Sequence, residues 1–231
     1  HHAYYNNQQK GYSAETIIRP STIAQIMALA DVYDALDNKR SYKDEMSKEK
    51  IREFIGNGIP KLIYRALPPK TSEKTIIQIT KEFTEYYNTH STIKTLPYPG
   101  IIELLTKLKQ NKIAIAVNTN KHEQTAIELC NTFFPTLIEI VSGGQTGLPP
   151  KPEPSGVNKI INSLSKKGIH CTKDNSIFIG DSDVDIQTGN NAGIDSVGVT
   201  WGFRKKDFLI EHGAKLIANN SIELEKILFA L

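Results

Sequence analysis

Cysteine is scarce in this 231-residue chain: Cys130 and Cys171 are the only two, with no Cys-x-x-Cys spacing. That argues against a disulfide scaffold and against a structural zinc module. Long apolar runs are also missing. None approaches the roughly 20 residues that a membrane span needs, so no membrane partner is expected. Charge of one sign is nearly balanced, with 28 Lys and Arg against 25 Asp and Glu, a net of +3. This excess is too small for a concentrated basic face, so a nucleic-acid partner is not expected either. Internal repeats and low-complexity tracts are absent. Hydrophobic residues make up 39% and charged residues 23%, which suits a globular chain and not a disordered one. The sequon Asn219-Asn220-Ser221 reads as chance without a secretion signal, and a reducing, cytoplasmic setting is the expectation. The first residues are His1-His2 and not Met, which fits a tag remnant or a piece of a longer reading frame. The residues that follow favour the second.

What is present divides into three parts: a helical fragment over 1–46, a helical module over 47–96 and an α/β layer over 97–231. Residues 1–20 are polar and end at Pro20. Ile23, Ile26, Met27, Ala30 and Tyr33 then recur at helical spacing. Ser47 starts a second helix, broken by Gly56-Asn57-Gly58. Residues 59–67 resume it until Pro68-Pro69, and Thr71 or Ser72 caps a third with the stripe Ile76, Ile79, Phe83, Tyr86 and Tyr87. From Pro97 onward strands alternate with helices. Strands are predicted over 112–117, 137–141, 176–180, 195–199 and 215–218. The helices between them are predicted at 99–109, 123–130, 154–167, 183–191, 205–212 and 221–229. That order indicates a parallel sheet with helices on both faces, and sites in such sheets lie at the carboxyl ends of strands.

Three strand ends carry polar residues. Asn118-Thr119-Asn120-Lys121 offers a hydroxyl and free backbone N–H groups that suit a phosphate oxygen, although taken alone an ordinary helix cap is the favoured reading. Lys151 sits among prolines in Pro149-Pro150-Lys151-Pro152-Glu153-Pro154, whose stiff backbone can aim an ammonium into a cleft. The run Ile177-Phe178-Ile179-Gly180-Asp181-Ser182-Asp183-Val184-Asp185 takes a buried strand straight into carboxylates. Asp181 and Asp185 are four apart and share a face on a helical turn. Acidic capping of the following helix accounts for part of this pattern. Three carboxylates in five residues, together with Lys151 and Thr119, suggest a metal–phosphate site. Hard oxygen ligands with room for water suit Mg²⁺.

These segments resemble the second, third and fourth motifs of the haloacid-dehalogenase superfamily: Thr119-Asn120-Lys121, Lys151-Pro152-Glu153-Pro154 and Gly180-Asp181-Ser182-Asp183-Val184-Asp185. Asn191-Ala192-Gly193 and Val199-Thr200-Trp201-Gly202-Phe203-Arg204 further resemble its phosphoglycolate phosphatase branch. Phe54-Ile55-Gly56-Asn57-Gly58 is similar to the start of that branch's helical cap. The similarity spans about residues 48–231. It implies a Rossmann-like parallel sheet with a helical cap, and Mg²⁺-dependent hydrolysis of a small phosphorylated metabolite through an aspartyl-phosphate. By motif match, Asp181 would ligate Mg²⁺ and Asp185 would support it. Lys151 would neutralise the phosphoryl oxygens, and Thr119 with the Asn120 amide would bind the phosphate. The cap would close over the substrate and exclude water.

The chain departs from the family in one respect. The family opens with an apolar strand ending in Asp-x-Asp-Gly-Thr, which carries both catalytic aspartates, and no such pattern occurs here. The segment before residue 48 instead resembles the later part of an HD-GYP domain: His1-His2, Gly11-Tyr12, Ala30-Asp31-Val32-Tyr33-Asp34-Ala35-Leu36 and Lys39-Arg40-Ser41-Tyr42-Lys43. By that match His1, His2 and Asp31 would be metal ligands of a cyclic di-GMP phosphodiesterase. Ala3 and Ser13 depart from its pattern, and its earlier ligands are not in the chain. A catalytically inactive fusion or fragment is therefore the alternative to an active phosphatase, with a remnant of a cyclic di-GMP phosphodiesterase as a third reading. Asp31 also ends the apolar run Ile26-Met27-Ala28-Leu29-Ala30, but Tyr33 stands two residues on and the periodicity is helical. Loss of the first, central strand predicts that the strands ending at Val117 and Gly180 pair directly, or that residues within 1–30 fill the gap.

Overall fold

The computed structural model describes residues 54, 58–90, 92, 95–144 and 147–230. Apart from Phe54, the helices expected before residue 58 lie outside the described residues, as do His1, His2 and Asp31. The chain forms two compact units, residues 1–96 and 97–231.

In the first unit, α1 (Ile59–Ala66) and α2 (Glu73–His90) pack on each other. Gly58 precedes α1 at φ 84, Pro60 sits in its first turn and Arg65 in its last. These are ordinary start and stop signals for a short helix. Pro68 and Pro69 prevent its continuation. The Ser72 hydroxyl accepts the Thr75 N–H at 3.2 Å, at the start of α2. Leu62, Ile63, Ala66 and Leu67 meet Ile79 and Phe83 in a core of their own. Phe83 stacks on Tyr87 with ring centroids 5.9 Å apart.

The second unit runs α3 (Ile101–Gln110), β1 (Ala116–His122), α4 (Glu123–Phe133), β2 (Ile140–Gly144), α5 (Ser155–Lys166), β3 (Ile177–Gly180), α6 (Asp183–Ala192), β4 (Asp195–Val199), α7 (Lys206–Glu211), β5 (Leu216–Ala218) and α8 (Ser221–Leu228). All pairings are parallel. β4 lies between β3 and β5, with Phe178 opposite Ser196 and Val199 opposite Ala218. Alternation along β4 divides the core into two layers. Val197 and Val199 pack with Leu104, Leu108 and Leu224 of α3 and α8. Gly198 faces the other way, where Leu209 and Ala214 come so close that even a Cβ would crowd them. Helices thus cover both faces, as the alternating pattern predicts. An ion pair from Lys107 to Glu225, 2.7 Å, ties α3 to α8.

The first strand is displaced from its expected range of 112–117: it begins at Ala116 and carries the polar run 118–122 within it. Two glycines opposite make this possible. Val117 pairs with Val141 and Asn118 with Ser142, then the register slips and His122 meets Gly144. A Cβ at Gly143 would overlap the Glu123 backbone, and one at Gly144 would press on the Asn120 carbonyl. Only a bare backbone lets the polar end of β1 stay extended beside β2.

The expected direct pairing of β1 with β3 is not what the fold shows. Among the described residues, β1 and β2 form one two-stranded sheet, while β3, β4 and β5 form a separate three-stranded one. The ends of β1 and β3 are linked through side chains instead, from Asn120 to the Lys151 loop and from Lys151 to Asp185. Residues within 1–30, the other expected occupant, lie outside the described residues.

Candidate functional site

Asn120 near the end of β1, Lys151 in the loop after β2, and Asp181 and Asp185 after β3 are joined by one continuous set of hydrogen bonds. The Asn120 side chain clamps the Lys151 backbone from both sides. Its Oδ1 accepts the Lys151 N–H at 2.7 Å, and its Nδ2 donates to the Lys151 carbonyl at 3.2 Å. The Lys151 ammonium then donates to Asp185 Oδ1 at 2.6 Å, with the two side chains 13% and 10% exposed. The same ammonium lies 5.9 Å from the Phe178 ring centroid. Asp185 Oδ2 accepts from the Ser182 hydroxyl at 2.6 Å and from the Asp181 N–H at 3.2 Å. Ser182 in turn caps α6, its oxygen accepting the Asp185 N–H at 3.3 Å. The Asp185 carboxylate is therefore buried but paired, which is the condition for keeping a charge inside a protein.

Asp181 stands differently. Its Oδ2 accepts the Phe203 N–H at 3.1 Å, and its carbonyl accepts the Arg204 N–H at 3.1 Å. Burial raises its pKa from the ordinary 3.8 to about 6, and the nearby Asp185 charge adds to the rise; the Phe203 N–H and the Lys151 ammonium only partly offset it. The site thus holds two carboxylates against one ammonium, an excess of negative charge in a poorly solvated place. Asp183 points elsewhere, 3.4 Å from Arg204 Nε. Glycines make the crowding possible: a Cβ at Gly180 would overlap Asp185, and one at Gly202 would overlap Asp181.

This donor set fits a hard divalent cation. Among the described residues there is no cluster of three His, Cys, Asp or Glu that could hold a metal alone. Mg²⁺ does not need one, since it commonly takes one or two carboxylates and completes its shell with water and phosphate oxygens. Asp181, held through Oδ2 and carrying a charge its surroundings resist, is the available carboxylate. Thr119 lies on β1 next to Asn120, with its Oγ1 accepting the Lys121 N–H at 3.1 Å.

Thr119, Asn120, Lys151, Asp181 and Asp185 were all singled out in the sequence. The chain of bonds directly links the last four, and Thr119 adjoins it. Sequence reasoning gave Asn120 only a backbone role, whereas its side chain fixes the Lys151 loop. It also passed over Ser182 and the Phe203 N–H. A serine at a helix start is too ordinary to attract notice, and a backbone amide carries no residue letter. Gly202, two residues beyond Thr200, was the legible trace of the second.

The model of haloacid dehalogenase-like hydrolases fits residues 25–199, and the chain belongs to that family. By family it is a phosphatase, a hydrolase of phosphoric monoesters. The match opens at residue 25, upstream of the residue 48 where the motif resemblance starts. A phosphoglycolate phosphatase of Rhodobacter capsulatus is 31% identical over 173 residues, 72% of this chain and 75% of that one. One from Aquifex aeolicus is 26% identical over 206 residues, covering 85% of this chain and 90% of its own. A Lactobacillus delbrueckii subsp. bulgaricus crystal structure, of a protein put forward as a phosphoglycolate phosphatase, superposes with TM-score 0.76 at 27% identity. It covers 89% of this chain and 91% of its own.

Proposed function

We propose that the chain resembles phosphoglycolate phosphatase in function: a Mg²⁺-dependent hydrolase of a small phosphorylated metabolite, with 2-phosphoglycolate the first candidate. The observation that carries this is the bonded series Asn120–Lys151–Asp185–Asp181, which brings the ends of β1 and β3 and the loop after β2 to one place. Thr119 and the Asn120 N–H would bind phosphate oxygens. Lys151, with donors to spare beyond Asp185, would lie against the same oxygens. Asp181 would hold the cation, and Asp185 would keep Lys151 and the Asp181 backbone in place. When bound, Mg²⁺ supplies charge neutralisation at the transferring phosphoryl group.

The reaction also needs an attacking group. The resemblance implies an aspartate, and the sequence has no Asp-x-Asp-Gly-Thr. Asp31 ends an apolar run inside the matched stretch 25–199 and is the residue to test, although Tyr33 two residues on and the helical periodicity count against it. The absent pattern favours a second reading, a catalytically inactive fusion or fragment that still binds phosphate or a cation. A third, a remnant of a cyclic di-GMP phosphodiesterase, rests on His1, His2 and Asp31.

The test is hydrolysis of p-nitrophenyl phosphate and 2-phosphoglycolate by the full chain with Mg²⁺ or EDTA. Mg²⁺-dependent turnover that disappears in Asp181→Ala supports the phosphatase, and its loss in Asp31→Asn would give the attacking role to Asp31. No turnover, with phosphate still bound, supports the second reading. Hydrolysis of cyclic di-GMP, lost in His2→Ala, would support the third.

A further inference from the structure

The segment after β4, Thr200-Trp201-Gly202-Phe203-Arg204, is anchored at both ends and grips one residue in between. At its start the Thr200 N–H donates to the Ala218 carbonyl of β5 at 3.1 Å, and Trp201 packs on the core beneath. At its end the Arg204 guanidinium lies 3.4 Å from Asp183 and 5.4 Å from the Phe208 ring centroid. Between these anchors, two successive N–H groups converge on Asp181: Phe203 on carboxylate Oδ2 and Arg204 on the carbonyl. Holding both the main chain and one carboxylate oxygen leaves the Asp181 side chain a single orientation. Gly202 lets the segment come this close, since any Cβ there would overlap the Asp181 carboxylate.

We infer that this segment is a positioning device for Asp181, with Arg204 as its latch and Gly202 as its point of contact, and that it sets how tightly the site holds a divalent cation. The inference rests on the reading of Asp181 as a cation ligand. Arg204 is assigned as a positioning residue and not as a ligand. It acts by fixing, through Asp183 and Phe208, the backbone whose N–H groups aim the ligand oxygen. Partners that orient a ligand typically change metal affinity by about 10- to 100-fold when removed.

The experiment uses the full chain and Mn²⁺ as the probe, followed by its electron paramagnetic resonance, with thermal unfolding of the metal-free protein measured alongside. Arg204→Ala is expected to weaken Mn²⁺ binding about tenfold. Arg204→Lys, which keeps the charge but not the planar stack on Phe208, should fall between it and the parent. Gly202→Ala, which pushes on the carboxylate itself, should weaken binding at least as much as Arg204→Ala. These losses should exceed any that follow from lowered stability, because a destabilising Leu104→Ala change in the core should leave Mn²⁺ affinity of the folded protein intact. Should Asp181→Asn abolish binding while Arg204→Ala and Gly202→Ala leave it unchanged, the positioning role is wrong and the cation site stands. Should Asp181→Asn leave binding unchanged, or the parent chain bind no Mn²⁺, the cation reading fails and the inference with it.

Discussion

Lys151 and Asp185 show why the site's charges must be considered as a set. Each is mostly buried, and each relies on the other: the ammonium donates to Oδ1, while Ser182 and the Asp181 N–H occupy Oδ2. Removing one member leaves a buried charge without its partner, which costs about 3–5 kcal/mol. Lys151→Met should therefore lower unfolding free energy by about 3 kcal/mol in urea melts, and Asp185→Asn in the same background should recover part of that loss. Simple additivity of the two changes would contradict the pairing. Asp181 offers a second measurement. Its pKa is raised from 3.8 to about 6, so the folded chain holds that proton more tightly than the unfolded chain does. Between about pH 4 and 6 the folded state therefore binds more protons, and this group's contribution to stability declines as pH rises, then levels off. The difference in melting temperature between the metal-free parent and Asp181→Asn should follow that window. A difference independent of pH would mean that Asp181 is not perturbed as described. Glu223 has the opposite sign. Hydrogen bonds from Asn219 lower its pKa, so its contribution is present above its ordinary value of 4.5 and is lost as pH falls.

Elements of this fold were legible wherever two signals agreed. β4 lies between Gly193 and the Thr200 segment, and it runs over Asp195–Val199 as expected. α6 opens at Asp183, where acidic letters mark a helix start and Ser182, unread in the sequence, supplies the cap, and it closes on Gly193 at φ 71. α8 follows the same logic: the Asn220 side chain accepts the Glu223 N–H at 2.9 Å, while Glu223 reaches back to the Asn219 N–H at the same distance. This reciprocal cap satisfies donors that a helix start otherwise leaves unpaired. Asn220→Ala should lower stability by about 1 kcal/mol, seen as a shift in urea midpoint without a change in slope. An unchanged midpoint would show that α8 is held by Leu224 and the Lys107–Glu225 ion pair alone. Sequence misplaced β2, which runs over Ile140–Gly144 and not 137–141, and, by more, β1. Its apolar letters end at Val117, so periodicity stopped the strand there. What extends it is the bare backbone of Gly143 and Gly144 on its neighbour, and a partner strand's shape is invisible to a strand's own pattern.

At the scale of the molecule, the organising fact is that two parallel sheets face one site. β1 has only β2 beside it and β3 only β4 among the described residues, whereas β4 is paired on both sides. Stability should therefore be graded across the unit. In native-state hydrogen exchange, the amides of β4 should open only with global unfolding, and those of β1 and β3 at lower free energy. Equal protection of Val117, Ile179 and Val197 would mean that the space between the sheets is bridged by backbone after all. Which residues gather at the strand ends was more legible than this split, because motif residues are tied to one another by spacing and charge. A sheet's completeness depends instead on residues distant in sequence. The same gradient gives a test of what that space can accept. Replacing residues 26–35 with an apolar strand ending in Asp-x-Asp-Gly-Thr supplies both the backbone partners and the attacking carboxylate. If the strand enters between β1 and β3, their exchange protection should rise toward that of β4, since each pairing secures N–H and C=O groups worth about 1 kcal/mol apiece. Phosphomonoester hydrolysis with Mg²⁺ should rise with it. Protection without hydrolysis would place the fault in the site's remaining residues. Hydrolysis without protection would show that a carboxylate can reach the Lys151–Asp181 cluster along a path that leaves the two sheets apart.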